Sequence, residues 1–350
     1  MLVVYILFMV FCVSLTQSAI KQKTLSSVLM LACVVLAFVA GWRSMSWADT
    51  DAYVISFTKY TPSINELSFS SKPFGYSEMG FFYLSVLSKS ITSNVHIYFS
   101  IVAGLSLFFL YKGLQRYSIF PLIGLCAYLA RFFMGRNLVQ IRSGLAYLIV
   151  IWGIKYIQEK QFWKYLLLVW IASLFHYSAW IALPLYFFSN WVKIGKRTIV
   201  GGLVIAFIIA ATMSNVLHAY VTDSLTDINL ATTYVSKEYD IIAKGLANPM
   251  IYFQSFLLLC YTFLERRIAP RTRYYKAIRD GYFYSTLILI IFCSFSALSG
   301  RTSTMFATLE FAIIPSLIFL FNKRNRNFAF VIIGIALVSI MYMNMPAWLK

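Results

Sequence analysis

Apolar runs of about 20 residues recur along the whole chain, and they constrain its fold more than any other feature. They fall at 2–20, 25–42, 95–111, 117–134, 139–157, 198–217, 248–264, 281–299, 304–321 and 327–346. A helix of that length spans the roughly 30 Å hydrocarbon layer of a bilayer. Inside lipid only α-helices and closed barrels satisfy their own backbone polar groups. A barrel needs alternating polar and apolar residues, whereas these runs are continuous. The charged fraction, 12%, is about half that of a soluble domain, which excludes a soluble globular protein, a disordered chain and a coiled coil. No linker divides the 350 residues. The expectation is an all-α, polytopic integral membrane protein, a single domain over 1–350.

Two segments break the regular pattern. Residues 79–92 are apolar but short and contain Lys89; residues 163–191 are too long for one straight span and too short for two. Two polar loops stand out, 43–78 and 218–247. Basic residues collect in cytoplasmic loops. Lys21 and Lys23 therefore place the turn after the first run inside, as do Arg266, Arg267, Arg271, Arg273, Lys276 and Arg279, and later Lys323, Arg324 and Arg326. If 79–92 is re-entrant or interfacial and 163–191 is a short helical hairpin broken near His176, then Lys112, Arg116, Lys155, Lys160, Lys164, Lys193, Lys196 and Arg197 also fall inside. The alternative, a full span at 79–92 and one long helix at 163–191, moves five of these outside. The first arrangement keeps more basic residues inside and is preferred. It gives about eleven to twelve transmembrane segments, an outer loop over 43–94 holding the re-entrant or interfacial helix, and a second outer loop over 218–247.

Thirty basic residues against twelve acidic ones give a net charge of +18. Topology and anionic headgroups account for that excess, and with no nucleic-acid-binding motif beside it, nucleic acid is not an expected partner. Cys12, Cys33, Cys126, Cys260 and Cys293 lie in apolar runs without metal-ligand spacing, so they read as small core residues. The first run has no basic flank before it and no small-residue cleavage site, so a retained helix is expected there.

With the cytoplasmic basics explained, Arg43, Arg131, Arg136, Arg142 and Arg301 are left at or just within the outer helix ends. A charge at a helix centre costs about 3 kcal/mol, so such residues usually pair or mark a substrate path, although a single arginine near an end can also snorkel to headgroups. In the segment 136–142, helical spacing puts Arg136 and Gln140 on one face, with Arg142 about a turn and a half further on. Guanidinium forks suit phosphate oxygens. His176, beside Tyr177 and Ser178, falls where the long apolar segment should break; it is either a hydrogen-bonded core histidine or a general base. The first outer loop mixes Trp42, Trp47, Tyr53, Phe74 and Tyr76 with Asp49, Asp51 and Glu78. These aromatics serve either as a membrane-interface belt or as a sugar-binding surface, and the carboxylates are alternative bases. The pair Asp49 and Asp51 is weak evidence for a metal site, and none is expected. A buried Glu310 should pair with an arginine from a neighbouring helix.

On these residues the chain resembles the EpsG-like family of Wzy-type polysaccharide polymerases. The matching elements are Gly41 and Arg43 with Asp51 and Tyr53; Glu78-x-Gly80-Phe81; Arg136 to Gln140-x-Arg142 with Ala146; Phe175-His176-Tyr177-Ser178-Ala179 with Pro184; and Gly300-Arg301 with Phe306 and Pro315. Asp49 is an extra acid where such proteins often carry a small residue. The resemblance implies a GT-C-like helical bundle in the bacterial inner membrane. It implies metal-independent glycosyl transfer, with no cofactor, joining oligosaccharide repeats carried on undecaprenyl diphosphate at the periplasmic face, so as to build O-antigen or capsule. A chain-length regulator is a partner by the same analogy.

In that chemistry Arg136 and Arg142, with Arg43 and Arg301 as further clamps, would hold the departing lipid diphosphate. His176 would be the first choice of base and Asp51 the second. Asp49, Tyr53, Glu78, Gln140, Tyr177 and Ser178 would line the substrate. The rival readings are an O-antigen ligase, which uses the same donor, and a lipid-linked oligosaccharide flippase or transporter. The chain shows no convincing inverted repeat, and its unusual charges cluster at one face, which favours surface chemistry over transport.

Overall fold

The computed structural model describes residue 11 and residues 21–68, 78–225 and 244–346. Apart from residue 11, the expected first run at 2–20 lies outside the described residues, as do residues 69–77 of the first outer loop and most of the second outer loop. In chain order the main helices are α1 (Gln22–Gly41), α2 (Thr50–Ile55), α3 (Met79–Ile91), α4 (Val95–Tyr117), α5 (Pro121–Tyr128), α6 (Ile141–Gly153), α7 (Phe162–Ser173), α8 (Leu183–Trp191), α9 (Lys196–Leu225), α10 (Pro249–Phe263), α11 (Tyr275–Ile291), α12 (Ser296–Ala307), α13 (Glu310–Ser316) and α14 (Arg326–Asn344). No strand occurs among the described residues. Five helices are long and apolar enough to cross a membrane: α1, α4, the continuous 121–139 segment, the 196–213 part of α9, and α14; a sixth arises if the consecutive helices 299–307 and 310–320 count as one span. Other expected spans are shorter helices. The run at 139–157, for example, divides into α6 and a single turn, Lys155–Gln158. The protein is therefore a polytopic, all-helical membrane protein.

Local sequence accounts for several helix starts. The Asn94 side chain accepts the His96 amide at 2.8 Å to cap α4, and Asn248 does the same for Met250 at 3.0 Å, with Pro249 opening α10. Pro121 opens α5. Each supplies an acceptor for an orphan amide or removes the orphan altogether.

The helices gather into two compact units, one formed by Met1–Tyr156, Gln161–Leu183 and Glu310–Lys350, the other by Ile157–Lys160 and Pro184–Leu309. In the first unit α1 buries Leu25, Leu29, Cys33, Leu36 and Ala40 on one stripe, while Leu31, Val34, Val35 and Phe38 on the opposite face are exposed. A helix apolar on its outer face as well is suited to lipid. Its buried stripe packs antiparallel to α4. At one end Ser26 meets the Tyr111 hydroxyl at 2.8 Å and accepts from Gln115 at 2.6 Å. At the other, a Cβ on Gly41 would lie 1.8 Å from Ser100 Oγ and 2.7 Å from the His96 carbonyl, so only glycine permits this close crossing. Tyr117 at the end of α4 donates to the Trp152 carbonyl of α6 at 2.7 Å. These contacts collect Lys21, Lys23, Lys112, Arg116 and Lys155 at one end of the unit, and Arg43, His96, Arg136 and Arg142 at the other.

The helix α3 is a short apolar element between the first outer loop and α4. It starts against Leu174, ends three residues before α4 begins, and at 13 residues is about 20 Å long. The long apolar segment breaks where expected: α7 ends at Ser173, His176 is extended (φ −160°, ψ 123°), and a 3₁₀ turn covers Tyr177–Ala182. Glu310 is fully buried and pairs with Arg131 at 3.6 Å, as its cost in lipid requires. Cys33, Cys126 and Cys293 are buried and unbridged.

The second unit packs α9, α10 and α12 around α11. Gly202 brings α9 against the Phe283 ring, 2.6 Å from where its Cβ would stand. Tyr261 and Tyr275 stack at 4.8 Å, and Ser285 donates to the Ser303 carbonyl at 2.6 Å.

Candidate active site

The polar end of the first unit is built on an irregular helix. Beyond α5 the chain runs on as a π-helix over Leu129–Val139, a form that recurs at functional sites. It ends at Gln140, whose amide bonds back to the Gly135 carbonyl at 2.8 Å, and α6 starts at once. Gly144 makes that turn feasible, because a Cβ there would lie 2.5 Å from the Arg136 carbonyl. The turn buries Arg136. Its guanidinium donates to Gln140 Oε1 at 2.8 Å and to Ser143 Oγ at 2.9 Å, and lies 4.5 Å from the centre of the Tyr147 ring. The contact expected between Arg136 and Gln140 is present, although a break rather than a continuous α-helix delivers it.

Arg43 follows α1 by two residues and is buried over the Phe99 ring at 3.7 Å. One of its nitrogens donates to the Asn137 carbonyl at 3.2 Å. Its Nε and Nη2, and Asn137 Nδ2, find no acceptor among the described residues, while Asn137 Oδ1 is taken by the Tyr128 hydroxyl at 2.7 Å. Buried donors seldom go unmatched, so this corner is shaped for an acceptor. Burial lowers the Arg43 pKa to about 10, which leaves the guanidinium charged at neutral pH.

Arg142 has a different environment. It donates to Glu78 Oε2 at 2.5 Å and lies 5.9 Å from the centre of the Tyr53 ring. Tyr53 is buried, and the loss of water raises its phenol above the ordinary value, against the pull of Arg142. It is therefore a neutral hydroxyl. Two residues apart on a helix point to opposite sides; with Tyr53 facing Arg142, Asp51 is exposed on the other face of α2, and Asp49 is exposed at its start. The structure thus does not bring Asp49 or Asp51 into the buried cluster.

His176 belongs to a hydrogen-bonded chain. Its Nδ1 accepts the Ser178 amide at 3.2 Å and meets the Ser178 hydroxyl at 2.7 Å, and that hydroxyl meets the Tyr147 hydroxyl at 2.8 Å. Because Nδ1 accepts from the backbone, the neutral ring carries its proton on Nε2. Tyr147 also stands under Arg136, so Arg136, Tyr147, Ser178 and His176 form one continuous network. Tyr177 is exposed. Arg301 lies on α12 in the second unit, where its carbonyl accepts the Thr304 hydroxyl at 3.0 Å.

The main chain joins the Glu78 and His176 regions. The amides of Gly80 and Phe81 both donate to the Leu174 carbonyl, at 2.8 and 3.2 Å. A Cβ on Gly80 would lie 2.7–3.0 Å from three Leu174 atoms, two of them backbone. Gly80→Ala is therefore expected to push α3 off Leu174 at a cost of about 1–3 kcal/mol. Hydrogen exchange at amides 80 and 81 should accelerate about tenfold as their bonds weaken; unchanged protection would contradict the contact.

Tyr128, Asn137, Ser143 and Tyr147 were not among the residues singled out from the sequence. A signal for two of them was there: Gln140, Ser143 and Tyr147 recur at i, i+3 and i+7, a polar stripe in an apolar run. Among the described residues no three His, Cys, Asp or Glu side chains are grouped to hold a metal.

No curated protein and no solved structure matches the chain. The sequence profile of the EpsG family matches residues 26–348, a stretch that includes every element of the buried cluster. The chain belongs to the EpsG family of Wzy-type, polysaccharide polymerase-like membrane proteins.

Proposed function

We propose that the protein polymerises oligosaccharide repeats carried on undecaprenyl diphosphate into O-antigen or capsular polysaccharide, at the periplasmic face of a bacterial inner membrane. The observation that carries this reading is the buried network of Arg136, Tyr147, Ser178 and His176, with Arg43 and its unmatched nitrogens bonded to the neighbouring Asn137. The opposite end of the same unit gathers Lys21, Lys23, Lys112, Arg116 and Lys155, and the basic end faces the cytoplasm. The cluster then faces outward, where lipid-linked repeats are joined.

In this reaction the bond from the anomeric carbon of the growing glycan to its diphosphate oxygen breaks, and a bond to an acceptor hydroxyl of a new repeat forms. The electron pair leaves on the lipid diphosphate, whose charge needs preorganised donors. The unmatched nitrogens of Arg43 and Asn137 receive phosphate oxygens. Arg136 is held ready beside them by Gln140 and Ser143. Arg142 exchanges Glu78 for the diphosphate, with its other partner Tyr53 beside it. The acceptor's proton passes to Ser178 Oγ as that hydroxyl gives its own proton to His176 Nδ1, making an imidazolium; Tyr147 orients the serine. Asp51, Asp49 and Tyr177 contact sugar from the exposed side.

Deletion of the gene followed by gel analysis of the surface glycan tests the reading. A single-repeat band in place of a ladder is expected. Polymer retained on undecaprenyl diphosphate would instead indicate a ligase, and repeats trapped on the cytoplasmic side would indicate a flippase.

A further inference from the structure

The second unit contains a cleft of about 420 Å³ that the glycosyl-transfer reading does not use. Its walls come from the 190–195 turn between α8 and α9, from Glu265, and from Tyr275, Lys276 and Arg279 on α11. Arg279 is buried and builds the floor: it donates to the Ile194 carbonyl at 2.6 Å, and it pairs with Asp280 at 3.0 Å and Glu265 at 3.7 Å. The Lys276 ammonium donates to the Ser189 carbonyl at 2.9 Å. Lys193 is exposed on the turn. The two carboxylates are committed to Arg279, which leaves Lys193 and Lys276 as the cations available to a ligand. Beyond the cleft, Arg197, Arg266, Arg267, Arg271 and Arg273 are exposed as well, so the local potential favours an anion.

The surroundings indicate where such an anion would come from. Trp191 is 78% exposed next to the turn, and Val192 and Phe263 are also largely exposed. Tryptophan beside lysine and arginine marks headgroup depth in a bilayer, and basic pockets between helices at that level suit phosphate-bearing headgroups. A cleft that pairs lysine ammonium groups with exposed apolar side chains fits an amphiphile better than a free ion.

We infer that this cleft is a binding site for the phosphodiester headgroup of an anionic membrane lipid, with Lys193 and Lys276 contacting the phosphate and Trp191 and Val192 lying against the acyl end. The inference is independent of the glycosyl-transfer reading. It is tested with the full chain purified in detergent, by native mass spectrometry after adding phosphatidylglycerol or phosphatidylcholine. One phosphatidylglycerol should be retained in preference to phosphatidylcholine. Lys193→Gln, on an exposed turn where folding is not at stake, should weaken retention roughly fivefold, and Lys276→Gln by a similar factor, whereas Lys193→Arg should preserve it. Equal retention of the two lipids, or unchanged retention in both glutamine variants, would overturn the site. Inorganic phosphate bound at the cleft without any preference between the lipids would assign it to free phosphate and overturn the lipid reading.

Discussion

Cells carrying Arg142→Ala or His176→Ala in place of the natural protein are expected to accumulate single repeats on the lipid carrier, with the variant present in the membrane at normal abundance. Removing one preorganised donor to a developing negative charge typically lowers the rate by about 10²–10³, enough to erase a polymer ladder. The two variants should differ in detail. Arg142→Ala leaves Glu78 without its 2.5 Å partner, so a lone carboxylate would stand where the diphosphate must bind, and affinity for the donor should fall together with turnover. His176→Ala removes the proton acceptor while the arginines stay in place, so donor binding should persist and turnover alone should fall. Lipid-linked repeat binding measured beside polymer length separates the two outcomes. Normal-length polymer from both variants would remove the mechanism.

Glu310→Ala is expected to produce the largest loss of stability. It strips the mostly buried Arg131 of its carboxylate, and breaking a buried pair by removing one partner costs about 3–5 kcal/mol. Arg131 is part of the π-helix that ends near Arg136, so loosening should reach the cluster and lower activity as well. Replacing both partners, as in Arg131→Met with Glu310→Leu, removes the uncompensated charge and should restore most of the stability. Thermal unfolding in detergent checks the pair; a single variant as stable as the double would show that the ion pair contributes nothing.

Much of this was legible in the sequence, for reasons that differ by residue. The membrane class followed from the apolar runs, because lipid leaves the backbone so few solutions. The break at His176 followed from length and loop charge together, since 163–191 fits neither one span nor two and a hairpin there keeps more basic residues inside. That Glu310 pairs with an arginine followed from the cost of a lone charge, whereas only the structure identifies Arg131 as that partner. The π-helix was not legible: a reading at 3.6 residues per turn carries Arg136 smoothly into Arg142, whereas the chain turns at Gln140 and gives the two arginines separate partners. The sequence groups Asp51 and Tyr53 in one motif, and helical geometry puts them on opposite faces, Tyr53 buried and Asp51 exposed. The bonding of Gly80 to Leu174 joins positions 94 apart in sequence, and no local pattern announces a contact at that separation.

The junction at Leu174 affects how such a protein can diversify. Because peptide groups fasten the Glu78 and His176 regions together, their spacing does not depend on the identity of the surrounding side chains. On the proposed function, the exposed stretch around Asp49 and Asp51 can then drift toward a different sugar while the buried network keeps its registration. A new glycan would require only a changed rim, and exchanging residues 44–52 between two family members should transfer preference for the repeat without loss of turnover.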